Sequence, residues 1–446
     1  MSDKTNVLNL AEETAKKYAT EIERTNKSTS PWFNGSTFLH DEFAQYMIQR
    51  YQIIMIDDLL HYFTGTHYEY LDDNEFRRMV IKILPILTEQ KRKDVYYNVL
   101  GRATVKERSH ARFVSLKNGV FDVKDKKFVS DPSDYVITNH IPVTYDANAS
   151  SEVLEYFLNE ISNHKKDIRL LIEEAIGYCL YRSAFMHKAF FIVARGSNGK
   201  STLFNMLYDF FGDNNAMPFS LKDMENNFKL SGTINKLVLI GDDISSSKME
   251  DTEIFKKMVS GERIYADKKR KDAFTILNTA TLMYSANELP PIHDQSNGLS
   301  RRLVIIPFER TFSHDNDNLD LEMPDKLKSD AVKSTLLNYA IDGLHRILEN
   351  KRFTEPEEVT NAIHEYKVRN NILMQYVEDK RIENILDHET DEVYKDFSIW
   401  CMKNGLKAKS KTFLTRSLST TYGIEIKRTT KRVNGYPQVF KYYVLK

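Results

Sequence analysis

The chain has 446 residues, of which 41% are hydrophobic and 28% are charged. This length suggests two to four domains, and the composition excludes a globally disordered chain. The only cysteines, Cys179 and Cys401, exclude a disulfide framework and a CxxC zinc site, and they fit a reducing cytoplasm. The polar N-terminus does not have the pattern of a signal peptide, and no apolar run approaches the ~20 residues needed to span a bilayer.

The net charge of zero hides a basic C-terminal end. Residues 403–446 contain 11 Lys and Arg and a single acid, Glu425, a net charge of +10 that leaves −10 for the other 402 residues. Such a tail is typical of a protein that binds a polyanion such as nucleic acid. A solvated, lysine-rich end explains the same composition, so charge alone leaves both interpretations open.

Hydrophobic spacing divides the first 185 residues into two regions. Residues 1–110 are expected to form a helical domain, because apolar side chains recur at helical spacing at Phe76, Met79, Val80, Ile83, Leu84 and Leu87. Residues 111–185 begin with a predicted β-hairpin at Asn118-Gly119, since both residues tolerate positive φ. Helices are expected to follow, and one of them carries an apolar stripe at Ile168, Leu171, Ile172, Ala175, Ile176, Cys179 and Leu180.

The pattern changes after residue 185. Residues 186–312 predict an α/β domain with a mostly parallel sheet, because polar or helical segments alternate with the short buried runs AFFIVA, KLVLIG, ATLMYSA and RLVIIPF. Residues 313–378 predict a helical extension with an apolar face at Leu336, Leu337, Ala340, Ile341, Leu344 and Ile347. Residues 379–446 predict a small domain of helix, helix and basic hairpin on Asn434-Gly435, which is the order of a winged helix.

The strongest local motif is FFIVARGSNGKSTLF, in which a β-type run enters a loop and a helix follows. In a phosphate-binding loop, glycines let backbone N–H groups close on the phosphates, and the helix N-terminus adds favourable dipole charge. Lys200 would reach the β- and γ-phosphates, and Ser201 would ligate Mg²⁺. We therefore predict ATP and Mg²⁺ as ligands of a loop formed by Gly196, Ser197, Asn198, Gly199, Lys200, Ser201 and Thr202.

Two later strands end in polar side chains. KLVLIGDDIS delivers Asp242 and Asp243 to the carboxyl end of a strand, where ligands bind in α/β sheets. One carboxylate would hold Mg²⁺ and the other would orient or deprotonate the attacking water, although an acid pair alone is more often a turn. Asn287 follows TLMYSA and would hold that water or sense the γ-phosphate, and a simple turn explains it equally well.

Two basic groups lie in the same region. Arg301 and Arg302 precede the fourth strand, where either guanidinium would reach the γ-phosphate in a neighbouring subunit or hold a surface acid. β-prone residues flank a basic cluster, which consists of Lys268, Lys269, Arg270 and Lys271. In a hairpin, this cluster could bind a phosphate backbone. A run of charges is otherwise a solvated face.

The order ARGSNGKST, LVLIGDDI, KKRK, YSANELPP and SRRLVIIPF resembles superfamily 3 helicases, in the branch of phage, plasmid and poxvirus primase-helicases. VSLKNGVFDVKDKKFVSDPSDYVITNHIPVTYD is similar to the segment before the motor in that branch, and LLNYAIDGLHRIL with FTEPEEV is similar to the helices after it. The resemblance covers roughly residues 30–380. As a whole the chain resembles a replication initiator helicase of a phage-related mobile island of the staphylococcal type, in a Gram-positive bacterium.

The resemblance implies an AAA+ motor that assembles as a ring, usually a hexamer, with ATP between subunits and 3′→5′ polarity on one DNA strand. Lys200 and Ser201 match the Walker A motif. Asp242 and Asp243 match the Walker B pair, so Asp242 is assigned to the metal and Asp243 to the attacking water. The remaining matches are Asn287 for the sensor, Arg301 or Arg302 for the arginine finger, and Lys268–Lys271 for the channel hairpin.

Two positions depart from the family's pattern. Ala194 stands where a glycine is usual, so the flexibility of the loop is expected to come from Gly196. Asp243 stands where the family often has Glu, and its carboxylate is one methylene shorter. The attacking water would therefore have to lie closer to the strand end.

These features predict an ATP-hydrolysing replicative helicase in the bacterial cytoplasm that binds origin duplex and single-stranded DNA, with host replication proteins as further partners and no membrane contact. In the tail, the expected DNA contacts are Lys411 and Arg416 on the recognition helix and Lys427, Arg428, Lys431 and Arg432 on the wing.

Two other interpretations stay open. An ATP-switched DNA-binding initiator or regulator that does not translocate would need the same loop and tail, whereas the KKRK cluster favours the motor. A P-loop protein without chemistry is disfavoured by the intact Lys200, Ser201, Asp242 and Asn287. The spacing typical of metal ligands is not found among four histidines, and no zinc is expected there: His61, His67, His110 and His140.

Overall fold

The computed structural model describes residues 30–244, 252–267, 274–291, 297–313, 320–434 and 436–446. Over these ranges the chain is a mixed α/β protein. The strands of a parallel sheet lie in the middle of the sequence, and helices precede and follow them along the chain. No helix in the described part is both long and apolar enough to cross a membrane.

The N-terminal region packs three helices against a four-stranded sheet. The helices are α1 (His40–Tyr51), α2 (Asp73–Ile83) and α3 (Glu89–Arg102), and the strands are β1 (Phe33–Asn34), β2 (Thr37–Phe38), β3 (Ile54–Ile56), β4 (Leu59–Phe63), β5 (Tyr68–Tyr70) and β6 (Thr104–Val105). The sheet has the order β5-β4-β3-β6, and β1 pairs with β2. Phe43, Phe76, Val80 and Val95 are fully buried in the core that these elements share.

The prediction of a helical domain over residues 1–110 is wrong for this sheet. β3 and β4 pair antiparallel across Asp57 and Asp58, which adopt positive φ values of 48° and 59°. Two residues of positive φ match the twist of a hairpin, but the usual sequence signal is Asn-Gly or Asp-Gly. The helical spacing around Phe76 is confirmed by α2, with Leu84 and Leu87 buried beyond its end.

The next region joins a small mixed sheet to two helices. Its elements are β7 (Phe113–Leu116), β8 (Gly119–Asp122), β9 (Lys127–Val129), β10 (His140–Ile141), α4 (Glu152–Ile161) and α5 (Lys166–Leu180). The predicted hairpin is confirmed, although Leu116 pairs with Gly119, so that the turn is formed by residues 117 and 118. Gly119 has a φ of 155°, and a Cβ there would lie 2.2 Å from the carbonyl oxygen of Val129.

The central region contains a five-stranded sheet in which every neighbouring pair is parallel. Its strands are β11 (Ala189–Val193), β12 (Ala216–Pro218), β13 (Val238–Gly241), β16 (Thr281–Ala286) and β17 (Leu303–Pro307), in the order β12-β13-β16-β11-β17. The four predicted strands are confirmed, whereas the three-residue edge strand β12 is too short for a sequence signal. β14 (Arg263–Ala266) and β15 (Phe274–Leu277) form a separate antiparallel pair. The helices here are α6 (Lys200–Phe211), α7 (Asn227–Ser231), α8 (Glu253–Ser260) and α9 (Asn297–Ser300).

A helical layer follows the sheet. It consists of α10 (Met323–Lys326), α11 (Asp330–Asn350), α12 (Glu357–Asn370) and α13 (Ile372–Lys380). The predicted apolar face of α11 is buried, and so is the apolar stripe of α5. Both belong to one hydrophobic core that also contains residues of the central sheet. α5 and α11 approach closely through glycines, because a Cβ on Gly177 would lie 2.2 Å from the carbonyl oxygen of Ala340.

The chain ends in two helices and a long hairpin, in the predicted order. These are α14 (Thr390–Lys403), α15 (Lys411–Tyr422), β18 (Ile424–Val433) and β19 (Tyr436–Leu445). Leu373 and Tyr376 of α13 belong to the same core as Phe397 and Leu414, so this packing unit begins before the predicted boundary at residue 379. Asp379 is not part of a free linker, because its carboxylate accepts a 2.7 Å hydrogen bond from Trp400 Nε1.

Three histidines lie close together where the N-terminal sheet contacts the central region. His61, His67 and His140 line a cavity of about 580 Å³ together with Asp213 and Glu69. The rings of His67 and His140 stack at a centroid distance of 4.5 Å. Burial, with the nearby charge of His67, lowers the pKa of His140 to about 4, so His140 is neutral at pH 7.

The glycine contact between α5 and α11 predicts an asymmetric effect of alanine. In Gly343→Ala the new methyl group would lie 2.6 Å from the carbonyl oxygen of Glu173, and such overpacking lowers the free energy of unfolding by about 1–3 kcal/mol. In the matched variant Gly101→Ala, on α3, the methyl group meets no atom within 4 Å. That change should stabilise the helix by about 0.5–1 kcal/mol.

Thermal unfolding of the full chain, followed by circular dichroism, compares the two variants. The midpoint should fall for Gly343→Ala and stay equal or rise for Gly101→Ala. Equal midpoints for the two variants would contradict a close backbone contact between α5 and α11.

Candidate nucleotide-binding site

The loop between β11 and α6 has the backbone conformation of an anion-binding loop. Gly196, Ser197 and Gly199 have positive φ values of 117°, 49° and 79°, and α6 begins at Lys200. Alternation into the left-handed region lets successive N–H groups face one concavity, and the N-terminus of α6 adds partial positive charge there. At Gly199 a Cβ would lie 3.0 Å from Ile161 Cγ2, so this position needs glycine for space as well as for conformation.

Ala194 continues the strand and does not need the freedom of a glycine. It is absent from the residues with positive φ, and its N–H donates to the carbonyl oxygen of Ala286 on β16. The departure from the family's pattern therefore leaves the loop geometry to Gly196, as expected from the sequence.

The Lys200 ammonium is held by neutral oxygens. Its Nζ donates to the carbonyl oxygen of Ala194 at 2.8 Å and to Asn287 Oδ1 at 3.3 Å, and the residue is only 8% exposed. Burial lowers the pKa of Lys200, while the carboxylates of Asp243 and Asp242 oppose that shift. Within the described ranges no carboxylate is in hydrogen-bond contact with this buried cation, so it is well placed to bind an incoming anion.

The two acidic residues at the end of β13 both form hydrogen bonds with one serine. Ser285 is fully buried on β16, and its Oγ donates to Asp242 Oδ1 and accepts from the N–H of Asp243 at 2.9 Å. Asp243 has a φ of 49°, which turns the chain at the strand end. Asn287 Nδ2 lies 3.5 Å from Asp243 Oδ1, at the far limit of a hydrogen bond.

The order of the parallel strands explains why these groups meet. β16 lies between β13 and β11, so the carboxyl ends of the three strands are adjacent. They carry Asp242 and Asp243, Asn287, and the loop that leads to Lys200. The structure thus brings together the predicted loop, acid pair and asparagine, and Ser201 is exposed on the first turn of α6.

A mostly apolar cavity of about 240 Å³ opens beside the loop. Aromatic and aliphatic side chains from α4 and from the chain after β17 form its wall together with loop residues, including Tyr156, Phe157, Phe312 and Met323 beside Gly199 and Thr202. Phe312 is fixed to the loop through its N–H, which donates to the carbonyl oxygen of Ser197 at 2.7 Å. No local pattern in the sequence predicts this cavity, because its wall comes from segments far apart in the chain.

Glu160 is a polar residue of this cavity's wall, and Asn198 lies in the adjoining loop. Glu160 is 4% exposed and pairs with Arg310 at 2.9 Å and with His164 at 3.0 Å. The side-chain amide of Asn198 donates to the carbonyl oxygen of Arg310, which ties the loop to the same segment. Asn198 therefore acts on the loop through its side chain.

The two arginines before β17 have different surroundings. Arg302 is buried, and its guanidinium donates to Ser260 Oγ at 2.9 and 2.7 Å and to the carbonyl oxygen of Gly298. Arg301 is exposed, and its carbonyl oxygen accepts from Lys188 Nζ. The interpretation of Arg302 as a finger is therefore corrected, since its guanidinium is used inside its own subunit.

The predicted DNA contacts are only partly placed. The cluster Lys268–Lys271 lies outside the described residues, between the antiparallel strands β14 and β15. In the tail, Lys411 pairs with Asp391 at 2.6 Å, which occupies its ammonium. Arg416 on α15 is exposed, and so are the wing residues Lys427, Arg428, Lys431 and Arg432.

Two family models match this chain, one over its N-terminal third and one over the central region. A family model described as "D5 N terminal like" matches residues 2–163, and the model of a family of unknown function (DUF5906) matches residues 192–302. The protein named "Putative helicase 184R" of Invertebrate iridescent virus 6 is 22% identical over 335 residues, which are 65% of this chain and 34% of that protein. The chain thus spans about a third of the length of this relative.

Solved structures extend the likeness over most of the chain. Two apo structures of the NrS-1 C terminal region have TM-scores of 0.55 and 0.56, with 13% and 12% sequence identity. Each covers 90% of this chain and 98% of the other. At such low identity the likeness shows a shared fold and nothing further.

Proposed function

We propose that the chain is an ATP-hydrolysing DNA helicase of superfamily 3 that acts in replication initiation on a mobile genetic element. The observation that carries this proposal is the meeting of Lys200, Asp242, Asp243 and Asn287 at the carboxyl ends of β11, β13 and β16. The names of the viral relative and of the D5-like family model agree with it. The fold supports an AAA+ motor followed by a winged helix.

The loop and the cavity beside it would hold the two ends of ATP. Phosphates would bind the N–H groups of residues 196–201 and the ammonium of Lys200. The base would enter the cavity of about 240 Å³, where Tyr156 and Phe157 offer aromatic surface. Gly199 and Thr202 border both places, so one nucleotide would reach from one to the other.

The donor set at the end of β13 fits Mg²⁺. Asp242 carries an exposed carboxylate, and Ser201 presents an exposed hydroxyl on the first turn of α6; hard oxygen donors of this kind suit the ion. Mg²⁺ would neutralise charge that develops on the phosphates. Asp243 would accept the proton of the attacking water, and Asn287 would hold that water and Lys200 in one geometry.

Assembly follows from the exposed arginine. Arg301 is exposed, so as a finger it would serve the site of a neighbouring subunit in a ring, which the resemblance makes a hexamer. Lys268–Lys271 would line the channel and pull one strand 3′→5′. The last domain would bind origin duplex, and host replication proteins in the bacterial cytoplasm would be further partners.

Strand displacement on forked DNA tests the motor. The full chain with ATP and Mg²⁺ should unwind the fork, whereas Lys200→Ala should not, because the phosphates lose their ammonium. Lys93→Ala, an exposed lysine on α3, is the control and should retain activity. ATP hydrolysis without unwinding by the wild type would instead favour an ATP-switched initiator that does not translocate.

The acid pair predicts a separation of binding from turnover. Asp243→Asn should bind ATP with unchanged affinity but lose turnover by about 100-fold or more, the effect of removing a general base. Ser285→Ala should lower turnover by only about tenfold, since it loses the two hydrogen bonds that orient Asp242 and the backbone of Asp243 but keeps both carboxylates. Fluorescent-nucleotide binding and phosphate release measure the two quantities, and retained turnover in Asp243→Asn would reassign the base.

Mixing two inactive variants tests Arg301. Arg301→Ala keeps an intact Lys200 site, and Lys200→Ala keeps an intact Arg301, so a mixed interface would pair one with the other. An equimolar mixture should regain hydrolysis at about a quarter of the interfaces. Arg302→Ala is the contrast, because it breaks hydrogen bonds to Ser260 and Gly298 and should lower thermal stability. A mixture that stays inactive would refute a finger in trans.

A further inference from the structure

The C-terminal hairpin extends far beyond the domain that anchors it. β18 and β19 pair over ten residues each, a length of about 33 Å. Only the near end is buried: Ile424 and Tyr443 lie in the core, and Tyr443 Oη contacts Thr415 Oγ1 of α15 at 2.7 Å. A two-stranded ribbon without a packing surface is marginally stable in water, so the outer part depends on what it contacts.

The outer part of the hairpin is strongly basic and also apolar. The sequence from Ile426 to Lys441 contains five Lys and Arg and no acid. Among the described residues of this part, Tyr436 is 78% exposed and Val439 is 57% exposed. Exposed apolar surface surrounded by cations is unusual for a hairpin that only meets solvent, and its charge is complementary to a polyanion.

The pairing register separates these residues into two faces. Paired residues share a face and alternate along the strands, so Arg428 with Lys441, and Arg432 with Pro437, lie on one side. On this cation face the only aromatic residue of the two strands is Tyr443, which is buried in the core at the near end, so the outer part of the face offers no ring. The opposite side, the ring face, carries Tyr436, Phe440 and Tyr442 together with Lys427 and Lys431.

On the ring face the cations accompany the rings. Lys431 Nζ lies 5.9 Å from the centroid of Phe440 and 5.3 Å from that of Tyr442, and it donates to Tyr442 Oη at 3.1 Å. Tyr436 is the outermost ring and the most exposed. An aromatic platform with interleaved lysines is the arrangement that binds unpaired bases by stacking while it neutralises their phosphates.

We propose that the ring face of the hairpin binds single-stranded DNA, with unpaired bases stacked on Tyr436 and Phe440. This rests on the proposed function only in taking DNA as the partner of the tail. Bases in a duplex are already stacked on their neighbours and cannot use the rings, so duplex contacts are left to the cation face and α15. One small domain thereby binds both sides of a junction between duplex and single strand.

Photocrosslinking and binding without nucleotide test this directly. The full chain is mixed with a 20-nucleotide oligo(dT) that carries 5-iodouracil, irradiated and mapped by mass spectrometry, and crosslinks are expected at Tyr436 or Phe440. Fluorescence anisotropy then compares the same oligonucleotide with a 20-base-pair duplex. Tyr436→Ala should weaken single-strand binding about fivefold or more and duplex binding less than twofold.

Two control variants separate stacking from charge. Tyr436→Trp should retain single-strand affinity, because it keeps a ring. Lys441→Gln, on the cation face, should weaken both substrates alike and reduce the salt slope by about one. Equal loss on both substrates in Tyr436→Ala, or unchanged affinity without a crosslink on the ring face, would overturn the proposal. Because ATP is absent, these results do not depend on whether the motor hydrolyses or unwinds.

Discussion

The site depends on a buried ammonium that is held by neutral oxygens at the end of a parallel sheet. Lys200 is 8% exposed and donates hydrogen bonds to the carbonyl oxygen of Ala194 and the amide oxygen of Asn287. Burying a cation in this way is unfavourable unless nearby charge compensates it, and Asp242 and Asp243 supply that charge from the next strand but one. The order β13-β16-β11 is therefore the constraint on which the rest of the site depends, because it brings the acids after β13 and the asparagine after β16 to the same edge as the loop after β11.

Sequence alone predicted the parts of this site that are local in the chain. The loop, the acid pair and the asparagine each follow a buried run, and a strand that ends in a polar residue places it at the same edge in any parallel sheet. The sequence did not predict Ser285, although it links Asp242 to Asp243, because a serine inside TLMYSA looks like an ordinary strand residue. Only the pairing of β13 with β16 gives it a role, and pairing of distant strands leaves no local signal. The cavity beside the loop was missed for the same reason.

The N-terminal region shows a different limit. Its helices were visible because three turns of helical spacing repeat one pattern, whereas β3, β4 and β5 are three to five residues long and leave little periodicity to detect. The turn at Asp57 and Asp58 adopts positive φ without the glycine that normally announces it. The histidines had no ligand spacing, yet the sheet and β10 bring three of them to one cavity. Burial lowers the pKa of each of the three, and the burial of a side chain cannot be read from the sequence.

Register, in contrast, decides what the basic residues can do. Arg301 and Arg302 are adjacent and identical in the sequence, but the guanidinium of Arg302 is buried against Ser260 and Gly298 whereas Arg301 is exposed. The tail follows the same logic. Its net charge of +10 says that a polyanion is a suitable partner, and it says nothing about which form of that polyanion. In the outer part of the hairpin, the ten-residue ladder sorts the cations between a face with aromatic rings and a face whose one ring, Tyr443, is buried at the near end. Because duplex DNA offers no free base to a ring, this sorting would turn a general affinity for phosphate into a preference between two kinds of DNA.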